Sequence, residues 1–513
     1  MGNNMEEEVS PVFKSSFTQG SYPSPDGSLI ASIQGSRLVL QDASTGETKR
    51  TTQLANELST AINFLKWSSP PLSPPIIEGE EENINIQTST SPLRILVADD
   101  QVIEIFDAHN DDWKATLNPG FGGIKYVDFA ANSDEVLVLS EFGLKVTIWS
   151  LKAKFHVDLQ HPKVGSKGFG YRPGTHHFAL LTRPIVHDIL NLYSPGSYTP
   201  IKSVELPTVD AQALKWSPDG RWIAILESAS AGYRVLLYTA NGHMFRTHEQ
   251  PCVGLGLRTV EWSSSGDFLV LGGYDGSVIF LNNFLFGKVV EMRHTIEVKT
   301  MATDVWSEEL SVLGERHYTL ITPPVSLPTV ESPTSDPVPK IGVSVISFCA
   351  DGTLVATKDE RMPTSVWIWS LESLAPLAIL VQLSQVKAIQ WHPSRGDLLA
   401  VVCGADPNNV STTNMPSVYL WSRDWDYPKT VRVSRDFIAA NLWLRWIDER
   451  TSETKDTAGD VLEGENIEEG YTEEGLAAGM ETGTATEPIR FIVGDKERYN
   501  IMKLTEALPA IEE

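Results

Sequence analysis

Val260-Glu261-Trp262-Ser263-Ser264-Ser265-Gly266-Asp267-Phe268-Leu269-Val270-Leu271-Gly272-Gly273-Tyr274-Asp275-Gly276-Ser277-Val278-Ile279-Phe280-Leu281 decides the fold. An aromatic residue is followed by Ser and a Gly-bearing turn. Next come an apolar run, a second turn at Asp275-Gly276, and another apolar run. Glycine tolerates positive φ and Asp bonds its own backbone, so both turns suit tight hairpins. The runs are continuously apolar rather than alternating, as in strands covered on both faces.

The same pattern recurs on either side. Upstream stands Leu214-Lys215-Trp216-Ser217-Pro218-Asp219-Gly220, with the apolar run Trp222 to Leu226 behind it. Downstream copies centre on Phe348-Cys349-Ala350-Asp351-Gly352 and Trp391-His392-Pro393, closing at Val366-Trp367-Ile368-Trp369 and Val418-Tyr419-Leu420-Trp421. Earlier copies centre on Tyr22, Trp67, Phe129 and Phe169, and a degenerate one starts near Trp443-Leu444-Arg445-Trp446. Without insertions the centres lie about 42–46 residues apart, as from Trp216 to Trp262 and from Phe348 to Trp391, which is the period of a WD-type blade. A four-stranded blade cannot bury both its faces alone, whereas stacking blades about an axis covers them. The expectation is an all-β, WD40-like β-propeller of divergent repeats, with seven to nine blades in one enlarged or slightly split ring. Two full seven-bladed rings would need about 600 residues at this period.

Closing dipeptides read Trp149-Ser150, Trp369-Ser370 and Trp421-Ser422 rather than Trp-Asp, and the usual Gly-His before the first strand is largely missing. The hydrogen-bonded network those residues build is therefore not expected in general, and apolar packing must supply more of the stability. The chain divides into an N-terminal tail (1–11), the propeller (12–450), a disordered acidic insertion (451–485), closing strands of the last blade (486–505) and an acidic tail (506–513). Within the propeller, a Pro-rich and then acidic loop spans 68–91, and a Pro/Ser-rich irregular segment at 308–340 reads as a poorly formed blade.

Composition narrows the function. Lys and Arg number 41 against 66 Asp and Glu, a formal net charge of −25. That balance opposes contact with phosphate backbones and anionic membranes, so no direct nucleic-acid or membrane partner is expected. The three cysteines, Cys252, Cys349 and Cys403, are scattered without a CxxC, which argues against a zinc site or disulfide framework. With no secretory or membrane-spanning run visible, a cytoplasmic location is expected.

Catalytic and cofactor motifs are missing: no phosphate-binding Gly loop, nucleophile elbow or zinc-protease motif is present. Gly254-Leu255-Gly256 lacks the third glycine of a dinucleotide fingerprint and precedes a strand. Asp26, Asp219, Asp267 and Asp351 sit in the same turn of their repeats and read as turn formers. His156, His161, His176 and His177 read as solvated or core histidines. No enzyme activity, metal or cofactor is therefore expected. Trp67, Trp216, Trp262, Trp391 and Trp443 share a repeat position and read as blade core. Trp113, Trp306 and Trp425 fall outside it and are the candidate partner-binding residues, set against local packing under a loop.

One block is more specific. Pro339-Lys340-Ile341-Gly342-Val343 through Ala356-Thr357-Lys358, then Met362-Pro363, Val366 to Trp369, Ala378 to Ser384 and Val386 to Trp391, resembles the centrosomal and spindle-pole-body WD-repeat family whose members partner a coiled-coil microtubule-anchoring protein. Val12-Phe13-Lys14-Ser15-Ser16, Gly273-Tyr274-Asp275-Gly276 and Pro324-Val325-Ser326-Leu327 extend the resemblance over most of residues 12–450. It implies a scaffold at the spindle pole body or centrosome, among other pole components, that helps anchor microtubule minus ends and organise the mitotic spindle. No catalytic residues belong to that pattern. The alternative is a propeller-type translation initiation factor acting on the ribosome, and a third class is a metal-centred propeller enzyme, for which no periodic inward-facing His or carboxylate set is found.

Overall fold

Nine blade sheets, each built on an antiparallel meander, repeat along the chain in the computed structural model, which describes residues 5–58, 61–69, 92–120, 122–163, 165–312, 315–331, 341–404, 416–448 and 488–506. Most of the loop expected at 68–91, the end of the irregular segment, the acidic insertion and nearly all of the acidic tail lie outside the described residues. Blades one to eight occupy 22–53, 64–117, 124–160, 169–205, 213–250, 257–293, 343–381 and 386–431, each a four-stranded meander in sequence order. Among the described residues there is no α-helix, only three single-turn 3₁₀ segments.

The blades form one ring. Their first strands touch round the axis, Tyr22–Pro23 against both Phe64–Trp67 and Trp443–Trp446. Nine apolar clusters fill the nine junctions between neighbouring blades. The middle strands explain the unbroken apolar runs: Leu269 to Leu271 and Val278 to Leu281 are all fully buried, each such side chain contributing about 1.5–3 kcal/mol.

The recurring turn is built as its residues dictate. Ser217 Oγ accepts the Trp222 amide at 2.9 Å and donates to Asp219 at 2.5 Å. Ser24 and Asp26 repeat the arrangement, and in blade seven Cys349 Sγ takes the place of the serine hydroxyl, accepting the Leu354 amide at 2.9 Å. In blade six Ser265, not Asp267, holds the aspartate position, because Asp267 follows the turn glycine.

A directional staple joins blades beyond apolar packing. The indole N–H of Trp67, Trp216, Trp262, Trp391 and Trp446 donates to the main-chain carbonyl of Tyr22, Gly170, Lys215, Ser347 and Gln390, respectively, on the first strand of the preceding blade. In blade nine this position belongs to Trp446 rather than Trp443, whose indole instead bonds Asp495 O at 2.8 Å within its own blade. At the junction of blades nine and one, the Arg445 guanidinium donates to the Ser21 and Gln19 carbonyls and stacks on the Tyr22 ring.

Closure uses the N-terminus. The stretch expected as an N-terminal tail contains a strand: Met5–Val9 pairs antiparallel along Met502 to Glu506, completing blade nine, and Phe13–Lys14 pairs with the same strand. An unpaired outer edge is the reason such a strand is captured. Tyr499 donates to Gln41 across the same junction.

Two departures concern blade seven. The segment from Asp304 to Ile321 is no separate blade: strand Asp304–Leu310 lies parallel to Ala375–Val381 and pairs with Arg316–Ile321, widening blade seven to six strands. Blade seven also keeps the network the divergent dipeptides argued against. Trp369 Nε1 donates to Thr357 Oγ1 at 2.7 Å, Thr357 meets His294 Nε2 at 2.8 Å, and His294 Nδ1 lies 3.1 Å from Gly276 O. Sequence reading missed His294 because the added hairpin separates it from its blade.

Candidate docking surfaces

Each meander leaves two sets of loops: turns joining strands one to two and three to four on one face, and on the other the two-to-three turns with the crossovers to the next blade. On the second face, over blades three to five, apolar side chains stand out in water. Phe142 and Leu144 sit in the turn Glu141-Phe142-Gly143-Leu144, Ile185 and Val186 in the turn of blade four, and Val209 in the crossover to blade five. Phe142 is 76% exposed, Ile185 88% and Val209 72%.

These loops form one continuous platform. The His161 amide donates to Leu144 O at 2.9 Å and the Arg183 amide to His161 O at 3.0 Å. The Arg183 side chain then reaches Val209 O at 2.5 Å and Asp210 at 3.4 Å. Beneath them lies the fully buried Asp188, which accepts Lys163 Nζ at 2.6 Å, Thr208 Oγ1 at 2.8 Å and the Ala211 amide at 2.8 Å. Burial alone would raise the Asp188 carboxyl, yet the Ala211 amide and Lys163 hold it below the ordinary range. It therefore stays ionised and pins three loop segments together. Rigid loops carrying exposed apolar groups lose little entropy on docking, and large apolar groups held out in water on one face suit a protein contact.

The structure does not bring the three candidate tryptophans together. Trp113, half-buried in blade two, packs at the junction with blade three under the Arg94 guanidinium, 3.9 Å from its ring. Trp306, on the added hairpin of blade seven, packs against the junction with blade eight. Trp425 packs between blades eight and nine, with Lys429 Nζ 4.4 Å from its ring. The loop apolar residues were not singled out in sequence. Their signal was local: Phe142 beside Gly143 and Ile185-Val186 behind Pro184 put large apolar groups where turn chemistry favours polar ones.

Chemistry is sparse. Among the described residues no group of three or more His, Cys, Asp or Glu could hold a metal ion. Cys349 and Cys403 are buried thiols, the latter pushed up by burial in the core. The polar cluster of Glu308, Arg316, Tyr419 and Tyr318 is buried between the hairpin and blade eight, and its partners satisfy one another: Arg316 Nη1 lies 2.6 Å from Glu308, Tyr419 donates to Glu308, and Tyr318 Oη bonds Gln382 at 2.6 Å.

The fold defines a nine-bladed WD40-type propeller whose exposed groups suit docking rather than covalent chemistry. Comparison with known proteins agrees on the class. The chain is 25% identical over 422 residues to the mouse (Mus musculus) WD repeat-containing protein WRAP73, covering 78% of this chain and 83% of that protein. It is 26% identical over 351 residues to the uncharacterized WD repeat-containing protein C32H8.09 of Schizosaccharomyces pombe (strain 972 / ATCC 24843), covering 67% and 71%. No family model matches the chain. A crystal structure of a eukaryotic initiation factor superposes with a TM-score of 0.51 at 11% identity over 80% of this chain and 87% of that one. That likeness is one of fold alone.

Proposed function

We propose that this propeller is a non-enzymatic scaffold at the spindle pole body or centrosome, where it binds a coiled-coil partner and helps anchor microtubule minus ends and organise the mitotic spindle. The observation that carries the docking part is the platform of Phe142, Leu144, Ile185, Val186 and Val209, exposed on loops held by the buried Asp188. An amphipathic helix presents apolar side chains in rows on one face, and such a face can lie across this platform. Support for the location comes from the family resemblance of the block ending at Trp391, which forms blade seven and the first strand of blade eight.

With a formal net charge of −25, the chain is repelled by other acidic surfaces, so anchoring to acidic microtubule walls would run through the partner. The test is a fluorescent tag followed through mitosis. Foci at the spindle poles are expected; a diffuse signal throughout division would sink the reading. Co-sedimentation of the purified protein alone with microtubules would contradict the indirect anchoring.

A further inference from the structure

A second surface lies at the outer rim, where the added hairpin of blade seven passes blade eight. A cleft of about 900 Å³ opens between strands Arg316–Ile321 and Lys429–Val431 and ends against blade nine at Leu504 and Glu7. Arg316, Lys429, Arg432 and Arg435 line it, with His317, against the carboxylates of Glu7 and Glu315. In a chain with 25 more acidic than basic residues, this excess of cations in one cleft runs against the overall charge. Arg316 is fixed in place, its side chain 9% exposed and bonded to the buried Glu308 at 2.6 Å and to Tyr419 at 2.8 Å. Arg432 and Arg435 are exposed, and Arg432 also faces the Glu7 carboxylate, which burial pushes up and the guanidinium holds down electrostatically.

The backbone around the cleft also suits a peptide. Arg316–Ile321 and Lys429–Val431 are the outermost strands of their sheets, each paired on one side only. Edge strands accept an added extended chain, with side-chain sites deciding which one. Arg432 and Arg435 follow the last strand of blade eight, so they lie toward the crossover face that carries the apolar platform. The described residues that flank the acidic insertion, Asp448 and Pro488, join the first two strands of blade nine, at the opposite strand ends.

We propose that the cleft binds an extended acidic peptide segment of a partner protein, its carboxylates meeting Arg432, Arg435 and Lys429. This deepens the docking reading by naming the partner's chemistry, but it does not depend on the cellular location. The cations complement carboxylates, and a short peptide can keep its charge within the cleft, whereas a long phosphate polymer would carry its charge out over the acidic surface of a chain with net charge −25.

The test uses the purified full chain and a fluorescein-labelled synthetic peptide of alternating Glu and Val, read by anisotropy at low and physiological salt. Binding is expected that weakens with salt and falls by about tenfold or more when Arg432→Gln and Arg435→Gln are combined, a neutral pair that sets no new carboxylate against Glu7, while circular dichroism shows that the variant remains folded. A Lys-for-Glu peptide should not bind. The proposal is overturned if the native chain fails to bind the peptide, if the double variant binds equally well, or if single-stranded DNA of matching length binds as tightly through the same arginines. It is equally overturned if binding emerges only after residues 451–485 are deleted, which would make the chain's own insertion the occupant. Loss of peptide binding with retained partner capture on the apolar platform would remove this proposal and leave the docking reading standing.

Discussion

The indole N–H of Trp391 donates to the main-chain carbonyl of Ser347 at 2.8 Å, 44 residues earlier, so one repeat period in sequence becomes one hydrogen bond between blades in space. Trp391→Phe keeps most of the apolar volume, removes the donor and leaves a buried carbonyl without it. It should cost about 1 kcal/mol, whereas Trp391→Ala should cost about 3–5 kcal/mol through the cavity it leaves. Urea unfolding followed by circular dichroism separates the two; equal losses would show that the bond itself contributes nothing.

Ring closure depends on a strand from the far end of the chain. Deleting residues 2–11 removes the pairing of Met5–Val9 with Met502 to Glu506 and bares the edge of blade nine. The expected loss is roughly 2–4 kcal/mol from the ladder bonds, together with self-association through the exposed edge. A lower thermal midpoint with a concentration-dependent larger species in size-exclusion chromatography is the predicted result. A monomer of unchanged midpoint would show that the closing strand is dispensable.

His294 makes stability pH-dependent. Burial drives its imidazole down to about 4, although Asp359 and the Gly276 carbonyl pull the other way and Arg361 adds to the depression. The unfolded histidine takes a proton near pH 6.5. The unfolded chain therefore binds more protons between those values, and stability should be full above pH 6.5 and decline as pH falls towards 4. His294→Gln should flatten that slope in chemical denaturation measured across the window. Thr357→Val, which removes the hydroxyl shared by Trp369 and His294, should cost about 2 kcal/mol.

The platform on blades three to five separates docking from folding. Phe142→Ser and Ile185→Ser alter exposed loop positions, so unfolding should shift by no more than about 0.5 kcal/mol. Capture of the bound partner from cells should fall by about tenfold or more for the pair, since large apolar groups anchor interfaces. Unchanged capture would move the docking site elsewhere on the ring.

Local rules carried the reading of the blades. Gly220 must adopt positive φ, at +67°, where Asp219-Gly220 turns the chain, and a turn that demands glycine is visible without coordinates. Where the spacing was ambiguous, the reading slipped by a few residues: Trp443 and Trp446 both precede the last insertion, and only the carbonyl of Gln390 distinguishes them. His294 was invisible for a different reason, since its partners Thr357 and Trp369 lie more than sixty residues on, beyond the added hairpin.

By itself, the sequence determined that short strands recur at one period, with apolar middles and Asp-Gly turns, and therefore that sheets unable to cover themselves must stack about an axis. Tertiary structure alone decided that the stack closes at nine, that the N-terminus supplies the last strand, and that Phe142, Ile185 and Val209 share a face. Closure and facing follow from the accumulated angle between blades and from pairing across hundreds of residues, and neither quantity is written in any local pattern.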